Sequence, residues 1–207
     1  RNMKFTKMHG CGNDYIYIDG AAQLISEADK PGVVRFLSDR HFGVGGDGVI
    51  FINPSDEADF EMEMYNADGS RSEMCGNGIR CVAKYVYDKG LTDQRQLSIV
   101  SAGAVKYLEL TVDQENKVSG VKVNMGKPVL EPAYIPVALS GERAVDVPIR
   151  AGEGEYRMTC VSMGNPHAVV FVENVGEMDL EQIGPLFEGH ELFPNRVNTE
   201  FVEIVDR

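Results

Sequence analysis

Across residues 64–88 the hydrophobic pattern changes from alternation to helical spacing, and this one change dictates a strand, a turn and a helix with a thiol at the junction. Phe60, Met62 and Met64 alternate as in a half-buried strand, and Asn66-Ala67-Asp68-Gly69-Ser70 is turn chemistry centred on Asp-Gly. Beyond Gly78 the apolar residues Ile79, Val82, Ala83, Val86 and Tyr87 recur at helical spacing, and Gly90 supplies a stop. The helix is expected to begin close to Asn77, which places Cys75 at its N-terminus. Unpaired backbone N–H groups and the positive end of the helix dipole favour an anion there, so a thiol is expected to ionise more easily than a free one. Gly76 and Gly78 leave the same amides open to a ligand carboxylate.

Composition narrows the function classes. The 207 residues are 43% apolar and 25% charged, an ordinary balance for a globular protein able to build its core without staples. A net charge of -12 argues against a nucleic-acid or anionic membrane partner, either of which needs a basic face. No apolar run approaches a membrane span, and no basic-then-apolar leader pattern opens the chain. Four cysteines without a C-x-x-C pair indicate a reducing cytoplasm and neither a disulfide framework nor a zinc site. The expected partner is a small molecule, with a homodimer as the one protein assembly entertained.

Read in order, the chain opens with a short strand, breaks at His9-Gly10-Cys11-Gly12-Asn13-Asp14 and resumes as Tyr15-Ile16-Tyr17-Ile18. Asn13 projects from the bend as a polar handle or satisfies its own turn; Cys11 reads as core filler. Residues 26–40 read as a helix interrupted near its start by Pro31-Gly32, with Val33, Val34, Phe36 and Leu37 on its apolar side. The glycines of residues 43–48 resemble a phosphate loop only superficially, because no Gly-Lys-Ser/Thr ends the run and a strand follows where a helix is required. Residues 97–101 form a strand, and residues 105–112 and 118–125 a hairpin. A composition change near Met125-Gly126-Lys127-Pro128 marks a boundary, expected near residue 121, between parts 1–120 and 121–207. Cys81 reads as buried filler.

The second part begins to repeat the first. Gly12-Asn13-Asp14 before residues 15–18 is echoed by Gly164-Asn165-Pro166-His167 before residues 169–172. A helix is expected after each, at residues 33–37 and 179–188, and then a strand, near Gly48 and over residues 197–205. On this register the equivalent of Cys75 falls beyond Arg207, so the second half is expected to be incomplete.

From residue 4 onward the chain resembles the diaminopimelate epimerase family. The resemblance rests on Met8-His9-Gly10-Cys11-Gly12-Asn13-Asp14, Asn66-Ala67-Asp68-Gly69-Ser70, Cys75-Gly76-Asn77-Gly78-Ile79-Arg80, Gly164-Asn165-Pro166-His167 and Arg196-Val197-Asn198. It implies an α/β (α+β type) fold of two pseudo-symmetric halves, each a curled mixed sheet around a central helix, with the substrate in the cleft between them. It also implies a cofactor-independent isomerase, needing no pyridoxal phosphate, that interconverts LL- and meso-diaminopimelate for lysine and peptidoglycan synthesis. The first catalytic cysteine of the family falls on Cys75, a histidine held to tune the thiols on His167, and substrate contacts on Asn13, Asn66, Gly76, Asn77, Asn165 and Asn198. No metal is implied. Relatives usually carry Leu at Cys11, and the second catalytic cysteine of the family lies beyond Arg207, so the 207-residue chain alone is expected to be inactive.

Inverting a carbon that bears an ammonium, a carboxylate and a hydrogen requires an acid–base group on each face. A thiol titrates close enough to neutrality to serve, whereas a carboxylate is a weak base and a lysine is normally protonated. Three other readings compete. A cysteine hydrolase would pair Cys75 with His167 as its base, but leaves Gly-Asn-Gly and the half-repeat unexplained. A proline-type racemase shares the thiols and the fold, whereas Asn66, Asn165 and Asn198 suit a substrate with a second charged end. A non-catalytic binding domain is the last.

Overall fold

The computed structural model describes residues 2–72 and 75–206; Glu73 and Met74, just ahead of Cys75, lie outside the described residues. The chain divides into two compact units, Arg1–Met125 and Gly126–Arg207. The boundary expected near residue 121 falls inside a strand, so the division lies a few residues later, at the composition change itself.

The first unit is a seven-stranded sheet whose strands lie in chain order. β1 (Thr6–Gly10) and β2 (Asn13–Asp19) form an antiparallel hairpin. Helix α1 (Lys30–Ser38) crosses to β3 (Gly48–Asn53), parallel to β2, and β4 (Phe60–Asn66) returns antiparallel. Helix α2 (Gly76–Asp88) leads to β5 (Gln96–Ser101), parallel to β4, and β6 (Ala104–Val112) and β7 (Val118–Val123) complete an antiparallel meander.

The sheet is curled, because α2 touches β1 and β2 at one end of the strand order and β6 and β7 at the other. One core cluster joins Tyr15, Tyr17, Ile50, Ile52, Met62, Met64, Leu97, Ile99, Leu108 and Leu110 to Ile79, Cys81, Val82, Ala83 and Val86 of α2. Ile79, Val82, Ala83 and Val86 are fully buried, and burying each of the two valines and the isoleucine contributes roughly 2 kcal/mol relative to exposure. The opposite face of the sheet is covered by α1, where Ile16, Ile18, Val49, Phe51 and Tyr65 meet Val34 and Leu37.

Several local expectations need correction. The break between β1 and β2 is only Cys11-Gly12, and both residues have positive φ (52° and 91°), the geometry of a tight hairpin turn. The side chain at the turn tip points outward, so Cys11 is exposed and not core filler. Pro31 does not interrupt a helix: it lies in the first turn of α1, where its missing N–H costs no hydrogen bond. Phe36 is exposed, while Val34 and Leu37 carry the packing. β4 is buried on both faces, not one, because α2 covers Met62 and Met64 while the α1 side covers Tyr65.

The second unit is a four-stranded sheet in the order β11-β10-β9-β8. Its elements are β8 (Val147–Ala151), β9 (Gly154–Ser162), β10 (Pro166–Phe171), α3 (Leu180–Glu188) and β11 (Asn198–Val202). The antiparallel β9–β10 pair, the crossover through α3 and the parallel strand β11 repeat the path of β1–β2, α1 and β3. Asp179 caps α3 by accepting from Gln182 N at 3.2 Å, and the buried Phe187 stacks edge-on against Tyr156 and Phe201. Strands β8 and β9 add to the elements expected from the sequence, and β9 carries the alternation of Tyr156, Met158 and Cys160 with polar residues.

The α1 side of the first unit holds a buried ion pair. Lys30 Nζ lies 2.6 Å from Glu63 Oε2, and Glu63 also accepts from Asn53 Nδ2 (2.7 Å), Tyr65 Oη (2.9 Å) and Arg71. Burial pushes the Glu63 carboxyl up, but the bonds from Lys30, Asn53 and Tyr65 outweigh it and the net direction is down. Removing the amine strands a buried carboxylate. Lys30→Met is therefore expected to cost about 3 kcal/mol at neutral pH, the low end for a broken buried pair because Arg71 remains; urea denaturation of the two proteins measures it.

Candidate active site

Cys75 is the N-cap of α2. Its backbone is extended (φ -123°, ψ 108°), its carbonyl accepts from Ile79 N at 3.0 Å, and its Sγ accepts from Gly78 N at 3.3 Å. A thiol thus does what Ser or Asp usually does at this position, and the bond is charge-assisted once the sulfur is a thiolate. Gly76 and Asn77 occupy the first two helical positions, whose N–H groups have no intrahelical acceptor. A Cβ on Gly76 would meet nothing nearer than Met125 Cε at 3.7 Å, so no side chain crowds this first helical position. Gly78 is different: a Cβ there would lie 3.0 Å from Ile50 Cδ1, which makes a larger residue costly directly under the thiol.

Tyr15 lies against Cys75 from β2. Burial pushes its phenol well above the usual tyrosine range, and the neighbouring Cys75 adds to this as a negative charge and hydrogen-bond partner. The phenol therefore remains protonated and is not a second base. Cys81, one of the buried faces of α2, has its thiol pushed up by burial, and burial raises Cys160 to about 11; neither is suited to acid–base work near neutrality.

The other first-unit site residues gather at the same edge of the sheet. Asn13 starts β2, Gly48 starts β3 and is paired with Asn66 at the end of β4. Asn77 Nδ2 donates to Asn13 Oδ1 at 2.7 Å, so the handle on the hairpin and the helix N-terminus are joined directly. Asn66 donates through Nδ2 to Ser70 Oγ at 3.0 Å, which holds its turn closed. The glycines of the 43–48 loop serve close approach of backbone to backbone, not phosphate. A Cβ on Gly48 would fall 1.9 Å from Tyr65 O.

Sequence reading missed the ionic cluster behind Asn13. Arg40 donates to both oxygens of Asp14 (2.9 and 2.7 Å) and to Asp47 Oδ1 (2.9 Å), and Lys7 Nζ lies 2.9 Å from Asp14. Asp14 N donates to Asp47 Oδ2 at 3.2 Å and Asp47 N to Asp14 O at 2.7 Å, while Ala67 N donates to Asp47 O at 3.0 Å. Asp47 thereby ties the Asn13 hairpin to the Asn66 turn. The only signal was Asp47 among glycines, which the comparison with phosphate loops obscured.

In the second unit, His167 of β10 stands opposite Asn198 of β11 in the strand register. Its Nδ1 is 2.7 Å from Glu200 Oε1 and its Nε2 is 2.9 Å from Asn165 Oδ1. Both partners as placed are acceptors. A ring with a proton on each nitrogen satisfies both, whereas a neutral ring needs Asn165 turned so that Nδ2 faces Nε2. Asn198 Nδ2 donates to Pro166 O at 3.1 Å. Asn165, His167 and Asn198 thus form one polar cluster of that unit, with Glu200 as a member the sequence did not reveal. Among the described residues no group of His, Cys, Asp and Glu is arranged to hold a metal, and no helix is long and apolar enough to cross a membrane.

The sequence profile of the family described as Diaminopimelate epimerase matches residues 5–131 and 159–207. A protein of Agathobacter rectalis named diaminopimelate epimerase is 58% identical over 99% of this chain and 73% of its own length. One of the same name from Methanococcus maripaludis is 54% identical, again over 99% of this chain and 73% of its own. Among solved structures, the Bacillus anthracis phenazine biosynthesis protein of the PhzF family superimposes with a TM-score of 0.63 at 18% identity, over 99% of this chain and 69% of that one, which shows a shared fold.

The Arg40 cluster generates a pH expectation. Hydrogen bonds from Arg40 and then Lys7 hold the Asp14 carboxyl well below the usual carboxylate range. A carboxyl depressed on folding contributes stability that is present above its unfolded value, about 4, and is lost as pH falls through the folded one. Arg40→Met should therefore shift the acid-unfolding midpoint followed by circular dichroism to higher pH.

Proposed function

This chain belongs to the diaminopimelate epimerase family, and on that footing we propose that Cys75 is one of the two acid–base groups that invert the α-carbon of diaminopimelate. The chain is an isomerase, an amino-acid epimerase of lysine biosynthesis. The observation that carries the residue assignment is the thiol at the N-cap of α2, with its Sγ on Gly78 N and the Asn13–Asn77 pair beside it.

As a thiolate, Cys75 removes the α-proton from one face of the substrate; a second thiol, which the family pattern places beyond Arg207, delivers a proton to the other. Charge that develops on the α-carboxylate is stabilised by the Gly76 and Asn77 amides and the positive end of α2, fixed in place before the reaction. Tyr15 remains a phenol packed beside the sulfur. No cofactor is needed, because the base, its stabilising dipoles and the carboxylate site lie on one helix end. Asn13, Asn66, Gly76, Asn77, Asn165 and Asn198 are proposed as substrate contacts. The amides reject a ligand that lacks the second charged end by leaving polar groups unpaired once that ligand covers them. His167, held between Asn165 and Glu200, is proposed to tune the thiols and not to act as a hydrolytic base. The reading includes a cytoplasmic location, which four unpaired cysteines suit, and a homodimer as the assembled form.

Cys75→Ser, made in an enzyme that also carries the second thiol, tests the assignment. Loss of a positioned acid–base group is expected to lower kcat about 10²- to 10⁴-fold. Cys11→Leu, at an exposed turn, and Cys81→Ala, a truncation in the core, should retain most of the activity. Comparable losses in all three variants would mean that the thiol is misassigned.

A further inference from the structure

Asn13 and Asn77 are not held by one another alone. Asn13 Nδ2 donates to Asp47 Oδ2 across a long 3.4 Å contact, Asn13 Oδ1 accepts from Asn77 Nδ2 at 2.7 Å, and Asn77 Oδ1 accepts from Arg80 Nη2. The result is a line of four side chains, Asp47, Asn13, Asn77 and Arg80, with a carboxylate at one end and a guanidinium at the other. Two amides by themselves can face either way, since each orientation makes one N–H···O bond. The ends remove that freedom: an ionised carboxylate only accepts and a guanidinium only donates. A carboxylate beside Asn13 requires its amino group to face Asp47, and a guanidinium beside Asn77 requires its carbonyl to face Arg80. Both ends demand the same orientation of both amides.

The ends are themselves anchored. Asp47 is held by Arg40 Nη2 at 2.9 Å and by Asp14 N at 3.2 Å. Arg80 leans on the first turn of its own helix through Nη1 to Gly76 O at 3.3 Å, and its Nη2 lies 3.7 Å from Cys11 Sγ. We propose that Asp47 and Arg80 are positioning residues for the epimerase reaction, which fix the direction in which the Asn13 and Asn77 amides are presented to substrate. This rests on the reading of Asn13 and Asn77 as substrate contacts. With the line intact, each amide keeps one N–H and one lone pair free, in a known direction, and the substrate orders neither side chain on binding. Without an end, binding must immobilise the released amide, which weakens it by about two- to tenfold.

The test is a pair of double-mutant cycles in the active enzyme, read as KM and kcat for diaminopimelate. Arg80→Met should raise KM about two- to tenfold and leave kcat within about threefold, while Arg80→Lys, which keeps a donor for Asn77, should recover most of the loss. In an Asn77→Ala background, Arg80→Met should raise KM no further, because its effect passes through the Asn77 amide. Asp47→Asn should behave in the same way against Asn13→Ala. A guanidinium that attracted the substrate carboxylate directly, or merely supported the helix, would raise KM by the same factor in both backgrounds, and that additive outcome overturns the proposal. If Asn13→Ala and Asn77→Ala themselves leave KM unchanged, the substrate-contact reading fails, and the positioning role fails with it. If those two raise KM while Arg80→Met and Asp47→Asn do not, only the positioning role is wrong.

Discussion

A helix N-terminus capped by a sulfur is the constraint on which the first unit depends. The cap requires Cys75 to be extended while Gly76 is already helical, and it requires Gly78 to lie close enough for its amide to reach Sγ. The helix must then be immobile, and the curled sheet ensures this by enclosing α2 between β1–β2 and β6–β7. A cap bond that elsewhere adds only about 1 kcal/mol to a helix here holds the Cys75 sulfur at the edge where Asn13, Gly48 and Asn66 gather. Stability and chemistry share the same few atoms.

The supporting charges obey the same economy of placement. Glu63 is buried and fully paired on the α1 side, so it specifies the packing of α1 against β4 and the start of the 66–72 turn. Asp14, Arg40, Asp47 and Lys7 form a balanced cluster of two anions and two cations behind Asn13, adding hydrogen-bonding direction without a net charge. The second unit reproduces the strand, crossover helix and parallel strand, and places Asn165, His167 and Asn198 at the corresponding ends of β10 and β11.

What was legible in the sequence was whatever local chemistry decides. The start of α2 could be read because the hydrophobic period changes there and because glycines flank Asn77; the echo of Gly12-Asn13 in Gly164-Asn165 exposed the repeated path. Pro31 misled because a proline looks like a break unless the first turn is known to begin beside it. Cys11 misled because a cysteine is usually buried, and only the left-handed turn with Gly12 turns it outward. β4 looked one-sided because its second face carries Glu63, an acid buried through its bonds with Lys30, Tyr65 and Arg71, and an acid breaks a period-two apolar pattern. The links from Asp47 to Asn13 and Asp14 were beyond reach for a different reason: they join residues far apart in the chain through side-chain geometry that no spacing encodes.

The central claim is that the thiol of Cys75 exchanges a proton with the α-carbon and does not attack a carbonyl. Turnover of LL-diaminopimelate in D₂O, stopped at low conversion and analysed by mass spectrometry and proton NMR, tests this most directly. The account predicts one deuterium at the inverted α-carbon of the product and an unmodified Cys75. Product without α-deuterium, or a covalent substrate adduct on Cys75, would contradict it.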